Sequence, residues 1–169
     1  FSHCQDNYLQ HGKDSRQQTR ENHLINVRNE PYVIEYNVRM GDPETQVVLS
    51  RVKNDFVDLL ISCDHQKLDK LEFEVDSNYF VNIVLASGGY PEKYEKNQEI
   101  FGLQKVSDST VFHAGAIKKD KKIVTSGGRV LAVSSSAETI ELALQKSYNS
   151  IKKINFKNMN YRKDIGYDL

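Results

Sequence analysis

Residues 35–44, EYNVRMGDPE, place polar side chains with different chemistry at every second position of a strand-like segment. Glu35, Asn37 and Arg39 alternate with Tyr36 and Val38, and a period of two predicts that the polar three share one face of a strand. A carboxylate and an amide oxygen two residues apart can bind one hard cation, and Mg²⁺ prefers such ligands. The planar guanidinium of Arg39 can grip a phosphate or a carboxylate. Spacing alone also fits the solvated face of an edge strand.

The next three residues, Asp42, Pro43 and Glu44, carry the signals of a helix start. Asp can accept hydrogen bonds from the free N–H groups, Pro suits the first helical position, and Glu favours the positive end of the helix dipole. Asp42 and Glu44 therefore have two open interpretations, a helix cap or a contact with substrate.

The elements around this segment follow from hydrophobic periodicity. HLIN with Val27, a turn at residues 29–31 and the β-rich run YVIEYNVRM together predict a hairpin. One apolar face then predicts a single helix over about 43–62. It is formed by Val48, Val52, Phe56, Leu59 and Leu60.

The second half of the chain predicts a mostly antiparallel sheet with one packed helix. Short β-like runs separated by turn residues occur at YFVNIVLAS, QEIFGL, STVFHAGAI, KIVTSGG and RVLAVSS. Ser135 and Glu138 have the spacing of a capping box, and an apolar stripe then predicts a helix over about 136–153. The stripe contains Ile140, Leu144, Tyr148, Ile151 and Ile154.

Composition excludes several functional classes. The 169 residues hold 23 basic and 23 acidic side chains, so no overall field favours nucleic acid or an anionic membrane. The lysines of residues 118–122 are interpreted as a solvated hairpin tip. Cys4 and Cys63 lack the neighbours of a zinc site, and no apolar run is long enough for a membrane span. We expect reduced thiols, a cytoplasmic location and no membrane or nucleic-acid partner.

Several stretches together resemble one enzyme family. YVIEYNVRMGDPETQVVLSRVKNDFVDLL is similar to the end of the ATP-grasp domain of the phosphoribosylamine–glycine ligases, also called glycinamide ribonucleotide synthetases. VNIVLASGGYPEKYEKNQEIFGL, VFHAGAI, VTSGGRVLAVSS and NYRKDIGYD resemble successive landmarks of the C-terminal domain of that family, in the same order. The resemblance covers about residues 30–169.

This resemblance implies roles for the polar segment. Glu35 and Asn37 would be the ligands of Mg²⁺ or Mn²⁺, and Arg39 would stabilise the transition state. In the family reaction, the carboxylate of glycine attacks the γ-phosphate of ATP, and the amine of 5-phosphoribosylamine displaces phosphate from the resulting glycyl phosphate. Such chemistry depends on alignment and charge neutralisation.

Other polar features receive structural interpretations. The glycine pairs of ASGGYP and TSGGRV are expected to form tight turns, and Arg129 is a weaker candidate for a phosphate contact because the family's C-terminal domain borders the active site. His113 is expected to be packed within its strand. Residues 161–164, YRKD, are expected to dock the C-terminal segment.

The resemblance implies an α+β fold, in which the strand and helix that end an ATP-grasp domain precede a mostly antiparallel β domain with one packed helix. We expect an atypical polar leader over 1–22, the ATP-grasp remnant over 23–63, a linker over 64–76 and the C-terminal domain over 77–169. We expect such a chain to be inactive without the missing N-terminal lobes of its parent. The alternative is a non-catalytic module that binds or completes another polypeptide.

Overall fold

The computed structural model describes residues 21–28, 30–37 and 39–167, and for 21–26 and 34–37 it describes the backbone. The chain divides into two compact units, of which the first ends at Thr45 and the second begins at Gln46. The predicted leader over 1–22 therefore lies outside the described residues, apart from its last two. None of the helices in the described ranges has the length and apolarity to cross a bilayer.

The first unit contains an antiparallel hairpin of β1 (Glu21–Val27) and β2 (Glu30–Asn37). The hairpin was predicted, but its bounds differ from the prediction. β1 begins two residues inside the leader, where Glu21 pairs with Asn37 and Asn22 with Tyr36. Residues 21 and 22 show no alternation of polar and apolar side chains. They belong to the strand because their backbone pairs with β2.

The turn of this hairpin is also shorter than predicted. Glu30 and Pro31 already pair with Val27 and Asn26, so they belong to β2 instead of to a turn over 29–31. Arg28 has a positive φ of 56° and carries the chain reversal, while Asn29 lies outside the described residues. The strand ends at Asn37, short of the predicted end at Met40.

The predicted helix over 43–62 is wrong in one respect, because two helices, α1 (Glu44–Arg51) and α2 (Phe56–Asp64), occupy its place. Val52 leaves the helix and forms an antiparallel bridge with Val75. The side chain of Asn54 bonds the backbone of the same returning segment, at Glu72 O (2.9 Å) and Glu74 N (2.7 Å). These contacts between distant residues interrupt the apolar stripe.

The second helix begins anew at a well-formed cap. The carboxylate of Asp55 accepts hydrogen bonds from the N–H groups of Val57 (2.8 Å) and Asp58 (3.3 Å), which have no partner inside a helix. No residue of α1 or α2 is buried. The apolar side chains of α2 instead remain about half exposed, as in Phe56, Val57, Leu60 and Ile61.

The core of the second unit is a three-stranded antiparallel sheet with the order β3-β7-β4. These strands are β3 (Tyr79–Ala86), β4 (Thr110–His113) and β7 (Arg129–Ala137). A separate hairpin joins β5 (Ala116–Lys119) to β6 (Lys122–Thr125), and its turn residues Asp120 and Lys121 have positive φ angles. The mostly antiparallel sheet and the lysine-rich turn are both as predicted.

The predicted strand near QEIFGL is not a regular strand. Glu99 and Phe101 form single bridges with Val124 and Asn155, and a short 3-10 turn follows at Leu103–Lys105. The segment changes partner within three residues, so it cannot extend a ladder with either neighbour.

Helix α3 (Ile140–Ile151) covers one face of the sheet. Along β3 the residues Val81, Ile83 and Leu85 are buried while their neighbours are half-buried, which is the period of a strand with one covered face. The predicted stripe of α3 lies in or against this core. Ile151 is fully buried within it.

The predicted cap of α3 is wrong. Ser135 does not precede the helix, because it lies inside β7 opposite Val81, and the strand continues to Ala137. Thr139 is the residue that caps α3, since its hydroxyl accepts a hydrogen bond from Leu142 N–H at 3.3 Å. Sheet pairing, which a local pattern does not report, extends β7 over the expected helix start.

Ser135 instead belongs to a chain of four serine hydroxyls, called here the serine chain. Ser147 donates to Ser135 at 2.8 Å, and Ser109 lies 2.7 Å from both Ser135 and Ser150. The chain joins α3, β7 and the residue just before β4. Because Ser135, Ser147 and Ser150 are buried, these hydroxyls must satisfy one another.

Candidate functional site

Glu35 and Asn37 occupy alternate positions near the end of β2. The backbone places Glu35 opposite His23 and Asn37 opposite Glu21, while the side chains of both lie outside the described residues. Among described side chains, no group of three or more His, Cys, Asp or Glu has a metal-binding arrangement. A carboxylate and an amide oxygen are a suitable partial ligand set for Mg²⁺. Because the structure does not describe these two side chains, their metal role stays a prediction.

Arg39 lies beyond the end of β2 rather than on it. Its side chain is exposed, and Nη1 donates a hydrogen bond to the carbonyl oxygen of Met40 at 3.0 Å. The alternation that would align Arg39 with Glu35 and Asn37 therefore stops before reaching it. Its proposed role in transition-state stabilisation stays a prediction.

Asp42 and Glu44 flank the start of α1. The carbonyl oxygen of Gly41 accepts hydrogen bonds from Thr45 N–H (3.0 Å) and from the Thr45 hydroxyl (2.6 Å). Glu44 is the first residue of α1, where a carboxylate interacts favourably with the helix dipole. Its carboxylate also lies over Gly41, in the space that a Cβ at residue 41 would need. The helix-start interpretation thus has structural support at Glu44, and substrate contact at either residue stays a prediction.

The two glycine pairs, far apart in sequence, lie side by side in the second unit. Ser87 donates its N–H to the Gly128 carbonyl oxygen (2.8 Å) and its hydroxyl to that of Gly127 (2.9 Å). The ring of Tyr90 occupies the space where a Cβ of Gly128 would lie. Gly89 has a φ of 94° and forms the expected turn, but the second pair chiefly permits close packing.

A groove of about 290 Å³ opens beside these loops. Val84 and Ala86 contribute to its apolar surface, and they alternate with the β3 residues that face α3. Arg129, the strand partner of Ala86, also lines the groove. The rest of the lining consists of Tyr90, Asn160, Tyr161 and Arg162. Sequence reasoning singled out the glycine pairs and missed Tyr90 and Asn160, although their positions beside landmark motifs were a usable signal.

The C-terminal segment, residues 159–165, packs against α3 as predicted. The hydroxyl of Tyr148 donates to the Arg162 carbonyl oxygen (3.1 Å) and accepts from Ile165 N–H (3.3 Å). The rings of Tyr148 and Tyr161 lie 6.3 Å apart. These contacts hold Arg162 at the groove, which it also lines.

Arg162 forms a two-pronged pair with an exposed carboxylate. Its Nε and Nη2 donate to the two oxygens of Asp164 at 3.0 and 2.9 Å. These hydrogen bonds hold the pKa of Asp164 below its ordinary value. The pair therefore stabilises the fold above the ordinary pKa of Asp, and this contribution is lost as pH falls through the lowered value. Because both side chains are exposed, solvent weakens it.

The expectation that His113 is packed is wrong. His113 is the last residue of β4, which is an outer strand of the sheet, and its side chain is exposed. No nucleophile motif accompanies it in the sequence, so exposure adds no catalytic role.

Comparison with known proteins decides the family. Residues 80–168 match the family described as phosphoribosylglycinamide synthetase, C domain. The chain belongs to this family. The match includes the three-stranded sheet except its first residue, Tyr79, together with α3 and every residue that lines the groove.

Named relatives of this synthetase family extend the likeness towards the N-terminus. The chain is 42% identical over 147 residues to a phosphoribosylamine–glycine ligase of Fusobacterium nucleatum, and 43% identical over 146 residues to one of Vibrio parahaemolyticus. Each alignment covers 85% of this chain. The uncovered part is shorter than the segment that precedes Glu35, so each alignment must include residues 35–44. A bifunctional purine biosynthetic protein of Pichia angusta is 40% identical over 146 residues.

A solved structure supports the same fold. The phosphoribosylamine–glycine ligase of Thermotoga maritima matches with a TM-score of 0.70 and 38% identity over 83% of this chain. The α+β class with antiparallel sheets is thereby confirmed. The chain spans about a third of the length of these ligases, 34% of the Fusobacterium protein and 35% of the Thermotoga chain.

Proposed function

We propose that this chain forms part of an ATP-dependent ligase that joins glycine to 5-phosphoribosylamine. The products are glycinamide ribonucleotide, ADP and phosphate, in purine biosynthesis. The observation that carries the proposal is the 42% identity to a ligase of that name over 85% of the chain, which includes residues 35–44. A cytoplasmic location accompanies this function.

The proposed parts of the chain follow the family's order. Residues 23–63 are the end of an ATP-grasp domain, 64–76 a linker and 77–169 the C-terminal domain. Because the chain spans about a third of its relatives, turnover requires the lobes that supply the remaining ATP pocket. We expect the purified chain alone to release no ADP with Mg-ATP, glycine and 5-phosphoribosylamine.

Residues 35–44 carry the proposed chemistry. Glu35 and Asn37 would hold Mg²⁺ or Mn²⁺, which when bound neutralises charge on the ATP phosphates. Arg39 would contact the transferring phosphoryl group through its guanidinium. Asp42 and Glu44 would contact the substrates at the start of α1. This chain thus contributes orientation and charge rather than a covalent nucleophile.

A second candidate is a non-catalytic module that completes or binds another polypeptide. The half-exposed apolar side chains of α2 favour it, since four of them, Phe56, Val57, Leu60 and Ile61, lie within six residues. Exposed apolar patches commonly mark interaction sites. This candidate predicts binding without any contribution from Glu35 or Asn37.

The deciding experiment replaces the matching third of the Fusobacterium nucleatum ligase with this chain. We expect the chimera to release ADP only when glycine and 5-phosphoribosylamine are both present. Glu35→Ala and Asn37→Ala should each lower kcat at least about 100-fold while the circular dichroism spectrum is preserved. A parallel chimera with the Vibrio parahaemolyticus ligase tests whether inactivity results only from poor packing where the two proteins are joined.

Glu72→Ala serves as a matched control, because it removes an exposed carboxylate in the proposed linker. It should leave kcat unchanged. Full activity in both Glu35→Ala and Asn37→Ala would overturn the metal assignment. Two folded chimeras without ADP release would favour the non-catalytic module.

A further inference from the structure

Residues 46–80 fold without burying a single side chain. No residue from Gln46 to Phe80 is buried, whereas the core of the second unit begins at Val81. The same segment contains α2 and most of α1. Because a helix normally packs an apolar stripe against another layer, these helices lack one side of their packing within the described residues.

The exposed apolar side chains of α2 form one continuous face. Phe56 and Leu60 are four residues apart, as are Val57 and Ile61, so all four lie on the same side of the helix. Each of them is between 48% and 61% exposed. The short 3-10 turn that follows contacts α2 and adds Leu68, which is 49% exposed. These five residues are called here the α2 surface.

Backbone pairing gives the α2 surface a fixed shape. Val52 forms a bridge with Val75, and the N–H of Lys53 bonds the Glu74 carbonyl oxygen at 3.0 Å. These contacts close the loop that contains α2, and the carboxylate of Asp55 caps the start of the helix. An ordered part of the chain therefore presents the apolar face, so that little order has to be gained when a partner binds.

The charges of α2 restrict the chemistry of that partner. Asp55, Asp58 and Asp64 occur within residues 55–64, which contain no Lys or Arg. A complementary surface would present apolar side chains at its centre and basic or neutral groups at its rim, because like charges repel across an interface. A two-fold dimer through this face is disfavoured, since the same patch would meet itself and bring two sets of aspartates together.

The position of the α2 surface along the chain indicates which protein supplies the partner. It lies before residue 80, where the match to the C domain begins. The alignments with the Fusobacterium and Vibrio ligases include it, because the part of this chain that they leave uncovered is too short to reach it from either end. The aligned region is 34% of each ligase, and most of the remaining length precedes a C domain.

We propose that the α2 surface is the contact through which this segment packs on the N-terminal portion of a ligase of this family. The identity of the partner rests on the proposed function, whereas the surface itself rests on its exposure, its charge and its fixed shape. Docking would bury the apolar face of α2. Local opening of the helix would then become rarer, because the partner binds the folded form.

The test compares native-state hydrogen exchange of α2 in the isolated 169-residue chain and in the Fusobacterium nucleatum chimera. We expect α2 amides to exchange at least about 100-fold more slowly in the chimera, because burial suppresses local opening. Peptides from α3, which already packs on the sheet, should change less than about threefold. The same measurement in the Vibrio parahaemolyticus chimera shows whether the result depends on the junction.

A matched pair of variants locates the contact. Leu60→Gln should remove at least about tenfold of the protection that α2 gains in the chimera, because it places an amide in an apolar interface. Leu142→Gln is the control, since Leu142 is 47% exposed on α3. It should change the protection of α2 less than about twofold.

Three results would overturn the proposal. Exchange of α2 could be equally fast in the isolated chain and in both chimeras, or Leu142→Gln could reduce its protection as much as Leu60→Gln does. Alternatively, α2 of the isolated chain could become protected as the protein concentration rises. That last result would assign the α2 surface to a second copy of this chain.

ADP release by the same chimeras separates this proposal from the proposed function. Inactive chimeras with a protected α2 would retain the docking surface and reject the function. Active chimeras in which α2 exchanges as fast as in the isolated chain would reject the docking surface alone.

Discussion

At the scale of single residues, the serine chain shows how polar groups stabilise this interior. Ser147 has no exposed surface, and its only described hydrogen-bond acceptor is Ser135. A buried hydroxyl that loses its partner costs more than the hydrogen bond normally contributes, since water cannot replace the missing group. Removing any one hydroxyl of the serine chain therefore affects the hydrogen bonding of its neighbours.

Ser147→Ala should lower the free energy of unfolding by about 1–2 kcal/mol, because the variant leaves Ser135 without one of its two hydroxyl partners. Urea unfolding monitored by circular dichroism measures the change. Ser50→Ala is the matched control, since that exposed hydroxyl bonds the Gln46 carbonyl oxygen within α1. The control should change stability by less than about 0.5 kcal/mol. Equal losses in both variants would contradict a special role for the buried chain.

At the scale of elements, α2 and α3 are helices of similar length with opposite environments. α3 buries Ala143, Ser147, Ser150 and Ile151 against the sheet, whereas α2 buries nothing. Most helical stability in proteins comes from packing of an apolar face. The two helices should therefore respond differently to loss of apolar side chains.

Leu60→Gln should leave the free energy of unfolding within about 0.5 kcal/mol, because Leu60 is 56% exposed in α2. It should also reduce the fluorescence of a bound hydrophobic dye, since it removes part of an exposed apolar patch. Ile151→Ala, at a fully buried site in α3, should cost about 2–5 kcal/mol in the same urea assay. A large loss at Leu60 would show that α2 packs more than its exposure indicates.

The same scale shows what sequence periodicity can and cannot predict. The alternation in β3 and the stripe of α3 are local patterns, and both elements were predicted, although α3 begins at Ile140 rather than near residue 136. The break at Val52 and the cap at Thr139 depend on pairing with Val75 and on the extension of β7. Val75 is distant from Val52 in the sequence, and the extension of β7 depends on its pairing with β3. Periodicity within a segment carries no information about such distant partners.

The candidate sites differ in the same way. Residues 35–44 are contiguous, so their candidate ligand and phosphate-binding groups can be recognised from the sequence and from the family resemblance. The groove combines β3, the start of β7 and the C-terminal segment, and only the fold brings Tyr90, Arg129 and Asn160 together. From the sequence, Arg129 was a weak candidate that rested on the family resemblance alone, and no pattern connected it with Tyr90 or Asn160.

At the scale of the whole chain, buried apolar residues are concentrated in one region. Every buried hydrophobic residue of the described ranges lies between Val81 and Phe156. Regions with few buried apolar contacts open locally at lower free energy than regions around the core. The chain is thus expected to have markedly uneven local stability.

Native-state hydrogen exchange followed by mass spectrometry should reveal this difference. Amides of β3 and β7 should exchange about 100-fold or more slowly than amides of α2, because β3 and β7 surround the core while α2 has no buried residue. Peptides from α3 serve as the control for a helix that packs on the sheet. Equal exchange rates in α2 and α3 would contradict the expected difference.

The serine chain also has a consequence for how this domain can change through evolution. Ser147, Ser135, Ser109 and Ser150 share hydrogen bonds in one line, so replacing one of them removes a hydrogen-bond partner from its neighbour. Replacing two bonded members together by apolar residues of similar shape removes both needs and can be nearly neutral. The four positions therefore form a single mutational unit, in which joint substitutions are tolerated more readily than any first step towards them.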